Sequence, residues 1–336
     1  MSVNIGIIGC GYWGPNLVRN FTKISDSKVI FVSDLDQSRL NYIKKLFPNL
    51  EVVRDYKKIL ENKNIDAIAI ATPISTHFQI ARDALSCKKH VLVEKPITKS
   101  LSEARQLIEI AKKNNRVLMV GHTFQYNQAV RKLRDIIKKG ELGKVLYAYT
   151  TRVNLGLFQD DINVIWDLCP HDISILNYLF DSIPKSVKAN AYSHYKKGIE
   201  DTGFVLLHYP GNIISHLHVS WLDPLKVRRA VLVGDKKMAV YDDLNAVEPI
   251  KIFNKGIIKQ AYYDTFGEFK LMYNRGDIYS PKVENVEPLE TECKHFLGCI
   301  KDNLVPLSDG KSGLEVVKVL EPAQKSLENN GKTIRV

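Results

Sequence analysis

A strand, a glycine turn and a helix open the chain, and this order constrains the fold more than any other feature. Val3 to Ile8 is apolar enough for a buried strand, Gly9-Cys10-Gly11-Tyr12-Trp13-Gly14 follows at once, and Asn16 to Ile24 reads as a helix. A dinucleotide-binding turn needs this arrangement. Gly9 permits the tight turn, Gly11 lets backbone approach a pyrophosphate, and Gly14 lets the helix lie close on the strand. The helix N-terminus then offers N–H groups and partial positive charge to the phosphates. Tyr12 and Trp13 lie within the turn and are counted with its cofactor-binding residues. Val29 to Ser33 reads as a second strand, and Asp34 follows 20 residues past Gly14. A carboxylate at that distance is placed for the ribose hydroxyls. NAD is therefore the expected cofactor. NADP is the weaker alternative, because Asp34 with Asp36 nearby would repel a 2′-phosphate, although Arg39 could swing toward one.

The first 120 residues alternate strand and helix, which implies a doubly wound parallel sheet. Gln37 to Phe47 reads as a helix stopped by Pro48, Asp66 to Ala71 as a buried strand, Ser75 to Leu85 as a helix and His90 to Val93 as a strand. Ser100-Leu101-Ser102-Glu103 has the spacing of a capping box at the head of a helix to Asn114. Arg116 to Val120 is a sixth strand, closed by Gly121. The character then changes. A helix over Gln128 to Lys139 precedes strand-like runs at 144–153, 187–192, 203–208, 213–220, 230–233, 238–241 and 250–253, with a helix at Pro170 to Phe180 among them. Strands that follow one another without helices imply an open, largely antiparallel sheet. Residues 256 to 286 read as irregular, and two helices, Glu290–Lys301 and Gly313–Leu327, close the chain, the second kinked at Pro322. The expected fold class is α/β. A Rossmann domain spans 1–121 and a second α/β domain spans 122–336.

Composition narrows the function classes. The net charge of +11 raises the question of nucleic acid. Yet the lysines are scattered over many helices, and no basic recognition helix or aromatic RNA-binding strand stands out. The excess charge suits anionic small molecules. No apolar run reaches the roughly 18 residues of a membrane span, and the N-terminal apolar residues belong to the first strand rather than to a signal peptide. The five cysteines form no CxxC pair, which fits free thiols in a cytoplasmic protein. No metal-ligand spacing is present.

Ligands in open parallel sheets bind at the carboxyl ends of the strands. Ala71-Thr72-Pro73 with His77, Glu94-Lys95-Pro96 and Gly121-His122 all fall there. Thr72, Pro73, His77, Glu94 and Lys95 are accordingly counted as cofactor-binding, and Lys95 also brings an ammonium to the reacting edge. In the second domain, Trp166-Asp167-Leu168-Cys169-Pro170-His171 is marked. Pro170 suits a first helical turn, so His171 is expected at a helix N-terminus, where the dipole disfavours its charged form. Asp167 would orient the ring. The same two residues could instead cap and pack the helix.

The glycine turn, Ala71-Thr72-Pro73 with His77, Glu94-Lys95-Pro96 and the Asp167/His171 pair, in this order, resemble the Gfo/Idh/MocA oxidoreductases. The resemblance runs through the closing Asp309-Gly310…Gly313-Leu314 segment. It implies a Rossmann domain followed by an open mixed sheet, and it implies that Lys95, Asp167 and His171 are the catalytic lysine, aspartate and histidine. Cys169 and Ser174 depart from the family's common Gly and Asp, and Gln125 and Asn127 stand where Arg and Pro are common. Asn154-Leu155-Gly156, Trp166-Asp167 and Glu292-Cys293-Lys294-His295-Phe296 are similar to the branch containing UDP-N-acetylglucosamine 3-dehydrogenases. That likeness adds Asn154 and Trp166 to Lys95, Asp167 and His171 as substrate-binding residues. The expectation is an NAD(P)-dependent enzyme that oxidises a nucleotide sugar, such as a UDP-N-acetylhexosamine at C3. The rivals are an inositol or free-sugar dehydrogenase, a keto-sugar reductase and a non-catalytic NAD-sensing regulator. A homo-oligomer, dimer or tetramer, is expected by analogy.

Overall fold

The computed structural model describes residues 2–156, 158–255 and 276–336, together with the backbone of Ile257–Ile258 and Met272–Tyr273. The chain divides into two compact units. The first is Met1–Tyr126 with Val286–Glu321, and the second is Asn127–Asn285 with Pro322–Val336.

The first unit is built on β1 (Val3–Ile8), α1 (Gly14–Lys23), β2 (Ser27–Ser33), α2 (Gln37–Leu46), β3 (Glu51–Val53), α3 (Lys57–Glu61), β4 (Ala67–Ile70), α4 (Ile74–Ser86), β5 (His90–Glu94), α5 (Leu101–Lys113) and β6 (Leu118–Gly121). All six strands are parallel, in the order β3-β2-β1-β4-β5-β6. The order reverses between β1 and β4, and a crevice for a ligand opens at such a point. The strands are continuous apolar runs because both faces are covered; every residue of β4 is buried. The expected N-cap at Ser100 forms, with its hydroxyl accepting the Glu103 N–H at 3.2 Å. The short β3 and α3 went unread in the sequence, being too brief to show a period.

The compact units divide at Tyr126, five residues past the expected boundary at Gly121, and residues 286–321 pack with the first of them. Helix Pro288–Asp302 returns to the first unit because its apolar side completes that core: Leu289, Cys293, Phe296 and Leu297 pack with Leu17, Val18 and Phe21, and the Phe21 and Phe296 rings meet edge-on at 6.3 Å. The Arg19 guanidinium pairs with Glu287 beside it.

The second unit contains α6 (Gln128–Lys138), β7 (Val145–Leu155), α7 (Val164–Phe180), β8 (Ser186–Tyr192), β9 (Thr202–His208), β10 (Ile214–Ser220), β11 (Leu222–Gly234), β12 (Met238–Asp242), β13 (Ile250–Phe253), the pair β14 (Ile257–Ile258) and β15 (Met272–Tyr273), and β16 (Ile278–Tyr279). Helices α8 (Pro288–Asp302) and α9 (Gly310–Glu328) follow, and β17 (Ile334–Arg335) ends the chain. Nine strands form one open sheet in the order β16-β13-β12-β11-β7-β10-β9-β8-β17. It is mixed, since β7 and β10 run parallel and the other neighbours antiparallel. α6 and α7 pack on each other and on this sheet. On the other face, Tyr147, Tyr149, Phe204 and Ile214 are exposed. α9 runs through Pro322 as one helix, and the division between the units falls there. Much of the irregular 256–286 stretch lies outside the described residues.

Candidate active site

The glycine turn has the geometry its sequence requires. Gly9 sits at φ +96°, and a Cβ there would lie 2.5 Å from the Ala71 carbonyl oxygen. A Cβ on Gly14 would lie 2.1 Å from the Gly9 carbonyl oxygen. Neither position admits a side chain. A Cβ on Gly11 would meet only the Arg39 guanidinium, at 3.6 Å, so that backbone faces open space. The head of α1 is also left available. Trp13 at the N-cap makes no side-chain cap bond, proline occupies the first positions, and the first turn holds no acid. These features fit the diphosphate of a dinucleotide.

Asp34 joins two backbone groups. Its Oδ2 accepts the Cys10 N–H at 2.6 Å and its Oδ1 accepts the Asp36 N–H at 2.9 Å. It thereby locks the turn. Arg39 approaches Asp34 at 3.7 Å and Asp36 at 3.6 Å. Cys10 is buried, and burial followed by the Asp34 charge pushes its thiol up to about 12, so it is inert.

Thr72, Pro73, Glu94 and Lys95 share the strand-end edge. His77 does not present its ring there. It is buried, with Nδ1 2.9 Å from the Pro96 carbonyl and Nε2 2.8 Å from the Thr72 carbonyl. It is a clamp that fixes the segments after β4 and β5, so its expected direct role with the cofactor is corrected to an indirect one. The Glu94 carboxyl packs against Gly121, where a Cβ would lie 2.9 Å from Oε2, and it accepts the Lys95 N–H at 3.3 Å. Burial raises it to about 7, against the pull of the Lys95 charge and N–H and the Trp13 indole. Behind it on α8, Glu292 is fully buried and accepts the Thr123 hydroxyl at 2.9 Å. Burial and then the Glu94 charge hold Glu292 neutral, well above the carboxylate range. His122 is buried as well, and burial followed by the Lys95 charge pushes it down to about 3. The motif around Glu292 thus belongs to the cofactor unit. Gln125 and Asn127 are structural: Gln125 donates to the Ser312 hydroxyl at 3.2 Å, and Asn127 caps α6.

In the second unit the reading of α7 is corrected. The helix starts at Val164, with the Asn163 side chain accepting the Trp166 N–H at 3.1 Å, and Pro170 lies inside it. His171 is therefore not at a helix N-terminus, and the dipole argument for it lapses. Asp167 and His171 instead stand one turn apart on one face. Asp167 Oδ2 accepts the Trp221 indole N–H at 3.1 Å. Trp166 is buried and offers little to a substrate, whereas Trp221 is the tryptophan that holds Asp167. Nothing in the local sequence marked Trp221, which reaches Asp167 across 54 residues. Asp172, the next residue after His171, takes a bidentate pair from buried Arg152 on β7, at 3.0 and 2.9 Å. That pair pins α7 to the sheet and sets the face that carries His171. Ser174 donates its hydroxyl to the His171 carbonyl at 2.8 Å. Asn154, half-buried near the end of β7, lies beside Gly156 and Trp221. Among the described residues no His, Cys, Asp and Glu cluster could hold a metal ion, and no helix is long and apolar enough to cross a membrane.

Comparison with known proteins agrees with these features. Residues 3–122 match a sequence model described as an oxidoreductase family with an NAD-binding Rossmann fold, and residues 130–240 match the GFO/IDH/MocA C-terminal domain. The chain is 23% identical to the myo-inositol 2-dehydrogenase of Thermotoga maritima, over 97% of this chain and 96% of that protein. It is 24% identical to the dTDP-3,4-didehydro-2,6-dideoxy-alpha-D-glucose 3-reductase of Saccharopolyspora spinosa, over 77% and 81%. The solved UDP-N-acetylglucosamine 3-dehydrogenase GnnA from Acidithiobacillus ferrooxidans superposes with a TM-score of 0.81 at 22% identity, over 98% of each chain. This chain is an NAD-binding oxidoreductase of the Gfo/Idh/MocA family.

Proposed function

We propose that the protein oxidises a secondary hydroxyl of a nucleotide sugar, with a UDP-N-acetylhexosamine at C3 as the first candidate, and that Lys95, Asp167 and His171 carry the chemistry. The observation that carries the reading is the joint presence of Lys95 at the cofactor strand edge and an Asp167/His171 pair fixed on one helix face. NAD, when bound, supplies the hydride acceptor. The Lys95 ammonium donates a hydrogen bond to the reacting oxygen and stabilises its developing negative charge. A ring nitrogen of His171 takes the hydroxyl proton, so the alcohol becomes a carbonyl. Asp167, steadied by Trp221, supports the resulting imidazolium. A sensor without turnover needs no such proton acceptor.

The net charge of +11 suits a doubly anionic substrate. The likeness of the segments around Asn154 and Glu292 to nucleotide-sugar oxidases supports the same class. The acidic Asp34 and Asp36 beside the glycine turn support NAD over NADP, since they would repel a 2′-phosphate. The exposed Tyr147, Tyr149, Phe204 and Ile214 on one sheet face support a homo-oligomer. Sedimentation of wild type and Tyr149→Asp checks that assignment, and a monomeric wild type removes it. The substrate is tested by following NADH formation with UDP-N-acetylglucosamine, free N-acetylglucosamine and myo-inositol. Turnover of the UDP-sugar with formation of a 3-keto product supports the proposal. Turnover of myo-inositol or the free sugar alone replaces it.

A further inference from the structure

We propose that Phe158 and Tyr195, seated on the buried Trp221, form an aromatic subsite that stacks the nucleobase of a nucleoside-diphosphate sugar. The inference rests on the nucleotide-sugar reading above and deepens it. Trp221 is 1% exposed and its indole N–H is bonded to Asp167, so the subsite begins at the candidate reacting centre. The Phe158 ring meets the Trp221 ring edge-on at 5.7 Å and 65°, and the Tyr195 ring meets Phe158 at 5.6 Å and 62°. Exposure rises along this series, to 47% at Phe158 and 78% at Tyr195.

The two loops that carry the outer rings are held in place. Asp201 is buried, and its Oδ2 accepts the N–H of His194 at 2.7 Å and of Tyr195 at 3.0 Å, while its Oδ1 meets His194 Nδ1 at 2.7 Å. The backbone carbonyl of Asp201 accepts the Trp221 N–H at 2.9 Å, so one residue fixes both the Tyr195 loop and the indole. Lys196 bonds Asp160 at 2.6 Å and ties the Tyr195 loop to the segment after Phe158. Gly156 makes the close approach possible: its N–H donates to the Trp221 carbonyl at 3.0 Å, and a Cβ there would lie 2.8 Å from the indole Cδ1.

The buried Asp201 carboxylate is satisfied by its three bonds to His194 and Tyr195, so the Tyr195 loop is ordered while the ring itself stays out of the packed interior. The arrangement makes sense when the ring has a ligand. A hexose at Asp167 and His171 leaves Tyr195 two ring steps away from the indole. The flat group that lies that far along a nucleotide sugar is its base. Aromatic stacking on a base does not depend on hydrogen-bond readout.

The test is calorimetric titration of the NADH-loaded protein with UDP, alongside KM and kcat for the UDP-sugar. Tyr195→Ala and Phe158→Ala are expected to weaken UDP binding about 5–150-fold, from the roughly 1–3 kcal/mol of one stacked base. KM should rise while kcat at saturation holds, and Tyr195→Trp should bind UDP as wild type does. Tyr195 is solvent-facing, so its truncation leaves folding intact. A wild type that oxidises the UDP-sugar, with UDP affinity indifferent to both truncations, overturns the subsite and leaves the proposed function standing. A wild type that does not bind UDP and oxidises only a free sugar overturns both.

Discussion

Replacing Asp34 by alanine removes the proposed ribose ligand and also loosens the glycine turn. The carboxylate accepts two backbone N–H groups, from Cys10 at 2.6 Å and Asp36 at 2.9 Å. Hydrogen bonds to a charged group contribute about 1.5–3 kcal/mol each, and water recovers part of that at a rim position. A loss of about 2–4 kcal/mol in the first unit is expected, which lowers Tm by on the order of 5–15 °C. The bonds to ribose go as well, so NADH affinity should fall about 10–100-fold. NADPH affinity should fall less, because one of the negative charges that oppose a 2′-phosphate has gone and Arg39 loses one of its two acidic partners. Asp34→Asn keeps one acceptor but turns an NH₂ toward an N–H donor, so it should fall between. Thermal melts and NADH or NADPH fluorescence titrations measure all of this. NADH affinity within twofold of wild type in a folded Asp34→Ala, or equal losses for both cofactors, would refute the reasoning.

Two further outcomes follow from the buried groups. Glu94 ionises near pH 7 rather than in the usual carboxylate range, so its negative charge at the cofactor edge appears as pH rises through neutrality; the ratio of NAD⁺ to NADH affinity should rise with it, because only NAD⁺ carries a ring charge, and titrations should find that Glu94→Gln flattens the dependence. His122 stays neutral in the folded state down to about 3, whereas the unfolded chain protonates it near 6.5, so its contribution is present at neutral pH and lost as pH falls through that window. By about pH 4.5 the loss is on the order of 3 kcal/mol, and urea unfolding of His122→Gln should show a correspondingly smaller fall between neutral and acid; an equal fall in both proteins counts against it.

The first unit was legible because its signals are local. The glycine turn, the N-cap at Ser100 and the apolar run at β4 each declare themselves within a few residues. The inner strands of the second sheet were legible for the same reason, through alternation, whereas the first half of β11 and the two-residue edge strands β16 and β17 were not. What stayed hidden depends on contacts distant in sequence. The return of α8 to the first unit is decided by how Phe296 and Cys293 fit against Phe21, which no period reveals. Pro170 read as a helix start, since proline is favoured there and disfavoured inside, yet the Asn163 cap and the buried Arg152–Asp172 pair carry α7 through it. His77 lay on the right edge, but its two carbonyl partners turn it inward. Trp221 lay in an unremarked strand end, and only the fold brings its indole to Asp167.

The measurement that bears most directly on the central claim is NADH formation from the UDP-sugar by wild type, Lys95→Met and His171→Asn, with NADH affinity measured on the same preparations. General acid–base groups contribute about 10²–10⁴-fold. Both variants should lose about that much in kcat while binding NADH nearly as wild type does. Turnover retained in His171→Asn, or NADH affinity collapsing together with turnover in Lys95→Met, would contradict the assignment of Lys95 and His171 to the chemical step.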